Sequence, residues 1–345
     1  MLVCGSGNLD GEVTRSVSTP LNHGQKQTET PALITNTLAS IKMSIAAELF
    51  GVERTIDELF IALFARGHIL LEDVPGVGKT ALAKAFAARL GLTFHRIQCT
   101  PDMLPADVVG GLIFNPKSAE FQLRRGPVFA NLLLVDEINR ALPRTQSALL
   151  EAMAEGQVTI DGETHRLPDP FMVIATQNPV ESQGVFPLPE AQIDRFLLKT
   201  SLGYPTADED VQLLERHALS TPSPAENAMS PMSDASSLLT EINHIHVSRE
   251  LLQYISRITH ASRNHPDVEV GVSPRGMIML TKASQAAALL AGRTYVIPDD
   301  VKRVATIVLY HRLVFRSYDA SMEQPEEWIA GVLAGVAAPV DGSAV

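Results

Sequence analysis

The stretch that most narrows the folds open to this chain is Pro75-Gly-Val-Gly-Lys-Thr80. It follows a short apolar run, His68-Ile-Leu-Leu71, and precedes a helix-forming segment, Ala81 to Leu90. Strand, glycine-rich loop and helix is the order in which backbone N–H groups converge on phosphate oxygens at a helix N-terminus. Gly76 and Gly78 let the backbone approach the phosphates, Lys79 adds a point charge, and Thr80 offers a hydroxyl to Mg²⁺. The general pattern opens on a glycine; here that position holds Asp73, a residue that tolerates left-handed backbone better than most.

The surrounding pattern supplies the rest of such a fold. Short apolar runs recur at Phe94-His-Arg-Ile97, Leu132-Leu-Leu-Val135, Phe171-Met-Val-Ile174 and Phe196-Leu-Leu198, separated by helix-like segments. Buried strands alternating with helices predict a doubly wound α/β fold, a parallel sheet covered on both faces. Two helices precede it, Leu33 to Phe50 with apolar residues at three and four spacing, and Arg54 to Phe64. Turn chemistry predicts two hairpins, one pairing Gly111–Phe114 with Phe121–Leu123, the other pairing Gln157–Ile160 with Thr164–Leu167 across Asp161-Gly162. After Tyr204-Pro205 the strand signal stops. Asp208–Ala218, Arg249–Ser262, Met277–Leu290 and Asp299–Phe315 read as helices of a smaller, all-helical unit, with Ser220–Ser237 a surface loop.

Downstream polar residues stand where these strands end. Leu132-Leu-Leu-Val135 runs into Asp136-Glu137, so that Asp136 is placed to hold Mg²⁺ and Glu137 to polarise a water for attack on a γ-phosphate. Asn178 follows the next strand, where an amide could orient that water, although alone before Pro179 it reads as a turn residue. Arg195, ahead of Phe196, and Arg275, opening a helix at Ser273-Pro-Arg-Gly276, would each alone read as surface ion-pair residues.

Together Asp136-Glu-Ile-Asn-Arg-Ala141, Thr145–Met153, Ala175-Thr-Gln-Asn-Pro179 and Pro187–Phe196 resemble the MoxR family of AAA+ ATPases, from about Pro31 to about Leu313. The resemblance implies a P-loop NTPase with ATP and Mg²⁺ as ligands. Pro75, Gly76, Val77, Gly78, Lys79, Thr80 and Ala81 would form the nucleotide loop, with Thr80 and Asp136 on the metal. Glu137 would complete the Walker B pair, Asn178 would be sensor 1, Arg195 the finger reaching a neighbouring subunit, Arg275 sensor 2, and Phe50 and Gly51 would lie near adenine. It implies a ring, expected to be a hexamer, that remodels or matures a partner protein in a chaperone-like way, the partner carrying a von Willebrand factor A domain. Two alternatives are a chelatase-type motor subunit, and an ATP-gated binding switch in which hydrolysis is secondary.

Composition bounds this reading. A chain of 345 residues is long enough for roughly two domains. The expected division is a disordered tail at 1–30, a nucleotide-binding domain at 31–204 with hairpin insertions near 111–123 and 157–167, a helical lid at 205–336, and a loose end at 337–345. The net charge of −11 argues against a generic nucleic-acid binder, which needs clustered Lys and Arg. Cys4 and Cys99 stand too far apart in sequence character to suggest a disulfide framework, and no apolar run approaches the ~20 residues that span a bilayer. With no signal-peptide-like stretch in Met1–Thr30, a cytoplasmic location is expected.

Overall fold

The computed structural model describes residues 23–74, 76–178, 184–218, 239–316 and 325–339. Helices α1 (His23–Ala46) and α2 (Glu53–Phe64) lead into β1 (Ile69–Glu72), α3 (Lys79–Arg89) and β2 (Phe94–Gln98). Then come α4 (Pro105–Val109), a hairpin of β3 (Gly110–Asn115) and β4 (Glu120–Arg125), β5 (Leu132–Asp136) and α5 (Pro143–Glu155). A second hairpin, β6 (Gln157–Ile160) with β7 (Glu163–Arg166), precedes β8 (Met172–Gln177), α6 (Glu190–Ile193) and β9 (Leu198–Thr200). Both hairpins pair antiparallel as their turn residues predict.

The five remaining strands form one parallel sheet in the order β2-β5-β8-β1-β9. Successive strand residues point to opposite faces, and the two faces bury different clusters. Ile69, Leu71, Leu132, Leu134, Met172 and Ile174 pack with α1, α2 and α3, whereas Leu70, Leu133, Val135, Val173 and Ala175 pack with Leu149, Leu150 and Met153 of α5 and with Val158 and Ile160 of the second hairpin. Continuous apolar runs at these strands are therefore the mark of a sheet covered on both sides. His68, just ahead of β1, is buried and bridges two neighbours: its Nε2 lies 2.9 Å from the Met153 carbonyl and its Nδ1 accepts from the Val173 N–H at 3.0 Å.

The remainder is α7 (Ala207–Ala218), α8 (Arg249–Asn264), β10 (Val268–Val270), α9 (Pro274–Leu290), α10 (Pro298–Leu309), β11 (Val314–Phe315) and α11 (Pro325–Gly335). Ser273 caps α9, its hydroxyl accepting from the Gly276 N–H at 3.0 Å. Tyr254, Ile258, Leu280 and Val304 share the core that contains α1 and α2, so the lid helices seat on that side of the sheet.

Three expectations change. Helix α1 begins at His23, inside the tail expected at 1–30, because periodicity detects only the turns that bury a face, and polar turns propagate from them at little cost. The lid is helical but carries an antiparallel ribbon, β10 with β11; the helix expected to reach Phe315 stops at Leu309, tightens through Tyr310–Arg312 and turns into that ribbon. Helix α11 gave no signal that was read from sequence. The surface loop expected at Ser220–Ser237 lies outside the described residues, as do 1–22 and 340–345. Among the described residues no helix is long and apolar enough to cross a membrane.

Candidate functional site: a phosphate cleft at the strand ends

Strands β5, β8 and β1 are neighbours, so their carboxyl ends deliver three separate stretches of sequence to one place. Gly76, Gly78, Lys79, Thr80, Ala81, Asp136, Glu137 and Asn178 line a cleft of about 400 Å³ there. Gly76 and Gly78 both have φ of 91°, and a side chain at either would meet nothing within 4 Å, so left-handed backbone rather than crowding is what calls for glycine at both. Lys79 starts α3 and donates to the carbonyls of Asp73 at 3.1 Å and Val74 at 3.2 Å. Pro75 lies outside the described residues.

Asp73 does something other than the left-handed turn expected of it. Its φ is not positive, and its buried carboxylate accepts the Leu202 N–H at 2.7 Å and the Gly203 N–H at 3.1 Å. The start of the loop is thereby tied to the segment that leaves β9 for the lid. A glycine could not do this, which accounts for the departure from the general pattern.

The acidic pair is held by residues that sequence reasoning missed. Thr176, buried in β8, donates to Asp136 Oδ1 at 3.3 Å and accepts the Glu137 N–H at 2.9 Å. Glu137 sits at φ 56° and ψ 51°, a left-handed conformation costing a non-glycine residue roughly 1–2 kcal/mol. This turn aims its carboxylate along the cleft, where Oε2 accepts from Gln98 at 2.9 Å and Arg140 at 3.0 Å. Arg96 pairs with Asp136 at 2.6 Å and also donates to Gln98 at 3.1 Å, so a hydrogen-bonded chain on the edge strand β2 joins the two acids. The available signal was period two: Arg96 and Gln98 share the face of β2 that meets the end of β5. Burial, helped by Asp136 and Glu137, pushes the neighbouring Cys99 thiol up to about 12, so it is no nucleophile near neutrality.

The donor set fits the implied metal. Thr80 and Asp136 present a hydroxyl and a carboxylate in the same cleft, the hard oxygen donors that Mg²⁺ takes, beside a loop whose open amides suit phosphate.

Five expected site residues among those described do not line this cleft: Val77 of the loop itself, Arg195, Arg275, Phe50 and Gly51. Arg195 donates to the Leu150 carbonyl at 2.7 Å, and Arg275, half exposed at the first turn of α9, stands 4.0 Å from Asp194. Arg195 thus adjoins Asp194, the carboxylate that Arg275 approaches, and neither arginine lines the cleft of its own chain. Gly51, at φ 68°, is packed against the first turn of α7, where an added side-chain carbon would lie 3.1 Å from Glu209 Oε2; neither it nor Phe50 reaches the cleft.

Known proteins resemble this chain along most of its length. Residues 68–198 match the ATPase family associated with various cellular activities (AAA), and residues 260–330 match the AAA lid domain. The chain is 42% identical to Chaperone MoxR1 of Mycobacterium tuberculosis, over 88% of this chain and 83% of that protein. It belongs to the MoxR family of AAA+ ATPases. Bacillus subtilis YeaC, an uncharacterised protein, is 49% identical over 82% of this chain and 89% of its own length. The crystal structure of a candidate ATPase from Cytophaga hutchinsonii superposes with a TM-score of 0.83 at 35% identity, covering 92% of this chain and 99% of that one. Magnesium-chelatase subunits are more distant; that of Nephroselmis olivacea is 28% identical over 65% of this chain.

Proposed function

We propose that this MoxR-family protein hydrolyses ATP at interfaces between subunits of a ring, a hexamer in our reading, and uses the cycle to remodel a client protein. The carrying observation is the separation on one chain of two half-sites. Gly76, Gly78, Lys79, Thr80, Asp136, Glu137 and Asn178 share a cleft that neither Arg195, bonded to the Leu150 carbonyl, nor Arg275, 4.0 Å from Asp194, lines. Arginines turned away from their own nucleotide are useful if they serve a neighbour's, and a finger supplied in trans is worth ~10³ to 10⁵ in rate.

In this reading the loop amides and Lys79 bind the phosphates, and Thr80 and Asp136 hold Mg²⁺, which neutralises charge on the phosphate oxygens when bound. Glu137 accepts a proton from the attacking water and Asn178 orients it. Gln98 and Arg140 hold Glu137 on one oxygen, leaving the other for water. The hairpin β3/β4 exposes Leu112, Ile113, Phe114 and Phe121, an apolar surface suited to meeting another polypeptide. A client with a von Willebrand factor A domain is the class the family resemblance favours, and the chaperone name of the Mycobacterium tuberculosis relative supports a remodelling role.

Mixing two inactive variants tests the shared site. Lys79→Ala subunits lack nucleotide but keep the finger, and Arg195→Ala subunits keep the nucleotide site but lack the finger. Each alone is expected to be inactive, and the mixture is expected to recover turnover; a mixture as inactive as its parts refutes the trans role. Glu137→Gln, trapped with ATP, is expected to retain the client through purification. Full client function by this variant without hydrolysis would refute the motor reading.

A further inference from the structure

Of the lid side chains that reach the segment carrying Arg195, one is buried and makes most of the bonds; its neighbour His311 places Nε2 3.2 Å from the Phe196 carbonyl. Arg312, on the turn after α10, has a side chain only 1% exposed. Its Nε donates to Asp194 Oδ1 at 2.9 Å, and its two terminal nitrogens donate to the carbonyls of Asp194 at 3.3 Å, Leu197 at 3.3 Å, Phe196 and Val308. Three of those carbonyls, from 194, 196 and 197, flank Arg195 in sequence. Burial lowers Arg312 to about 10, offset by Asp194, so it remains charged near neutrality.

Other lid groups converge on the same carboxylate. Ser273 donates to Asp194 Oδ2 at 3.3 Å, and Arg275 stands 4.0 Å from it. Gly276 leaves room for the Arg312 stem: an added side-chain carbon there would lie 2.8 Å from Arg312 Cδ and 2.8 Å from Val272 Cγ1.

This contact differs in kind from the rest of the lid seat. Elsewhere the lid meets the nucleotide-binding unit mainly through apolar side chains of α9 and α2, a non-directional contact, with an exposed ion pair from Arg303 of α10 to Asp57 of α2 at 2.9 Å. A planar guanidinium bonded to a carboxylate and to three nearby carbonyls fixes direction. A buried ion pair is weak as a stabilising device compared with apolar packing, so its evident contribution is geometric.

We propose that Arg312 is a positioning residue for Arg195: by clamping residues 194–197 to the lid, it makes the lid's orientation set how the finger is presented to the neighbouring subunit. Nucleotide state, by moving the lid, would then be read out one subunit away. This rests on the reading of Arg195 as a finger acting in trans.

The mixing assay separates the two. Lys79→Ala subunits act as finger donors and Arg195→Ala subunits as acceptors; failure of this unmodified pair to recover turnover overturns the finger reading itself. Once that pair works, Arg312→Lys is introduced into one partner at a time. In the donor it is expected to lower recovered turnover about a hundredfold, the scale of a misplacement near 1 Å. In the acceptor it is expected to change turnover and ATP affinity less than about twofold, because the acceptor's own finger is not used. Equal loss in both arms means Arg312 only supports folding, and no loss in the donor means it does not position the finger; either result overturns the proposal. Gly276→Ala, which retains Arg312 but crowds its stem, is expected to give the same donor-only loss and stands as the test if Arg312→Lys fails to fold.

Discussion

Replacing Asp73 by glycine would restore the residue that the general nucleotide loop carries at this position, yet it is expected to damage this protein. The carboxylate is 5% exposed and accepts two backbone N–H groups, at 2.7 and 3.1 Å. A hydrogen bond to a charged group contributes roughly 1.5–3 kcal/mol. Gly203 is exposed, so water takes over its N–H when the carboxylate is removed, whereas Leu202 is partly covered and is compensated less well. The two bonds together are therefore worth about 2–4 kcal/mol, and glycine's extra unfolded-state freedom adds up to about 1 kcal/mol. At roughly 1.4 °C per kcal/mol for a chain of 345 residues, the melting temperature should fall by about 3–7 °C. Asp73 and Val74 also offer the carbonyls that hold Lys79, so loosening the loop should weaken ATP binding about tenfold, the equivalent of ~1.4 kcal/mol. Asp73→Asn keeps one acceptor and turns an amide NH₂ toward the other donor, so it should fall between wild type and Asp73→Gly. Thermal unfolding by circular dichroism, with titration of a fluorescent ATP analogue, measures both effects. A glycine variant that melts like wild type and binds the analogue equally well would show that the tie to residues 202 and 203 carries no energy.

Two further outcomes follow from buried polar groups. Burial lowers His68 from the ordinary 6.5 to about 4, so between those values the unfolded chain binds a proton that the folded chain does not. Stability from this group is full above pH 6.5 and declines by about 3 kcal/mol as pH falls to 4; urea unfolding of wild type and His68→Gln across that range should show the variant losing correspondingly less, and parallel curves would refute it. Thr176→Val removes the hydroxyl shared by Asp136 and the Glu137 N–H. At about 1–3 kcal/mol, kcat should fall roughly 5- to 150-fold with nucleotide binding retained; an unchanged kcat would mean Glu137 holds its strained turn without help.

The phosphate loop, the acidic pair and Asn178 were legible because each lies on a contiguous stretch whose strand or helix context is itself local. Once β5, β8 and β1 are adjacent, their ends must meet. Arg96 and Gln98 were overlooked because two polar residues in an edge strand look like a solvated face until the register sets Gln98 beside Asp136. Asp73 stands out in sequence as a departure from the loop pattern, but the residues it holds, Leu202 and Gly203, are unremarkable there. The polar first turns of α1 and the β10–β11 ribbon escaped for a related reason: neither carries the periodic apolar face on which such reading depends.

Sequence alone therefore determined the class of fold, the family and the stretches that meet at the cleft, because those depend on periodicity and on short motifs read within one stretch of chain. Tertiary structure decided how Glu137 is aimed, what Asp73 holds, and that neither Arg195, on a segment clamped by Arg312, nor Arg275, on the lid, lines the cleft. Those are contacts between residues distant in sequence, set by strand register and by the seating of the lid, and neither composition nor spacing carries the directions in which side chains meet.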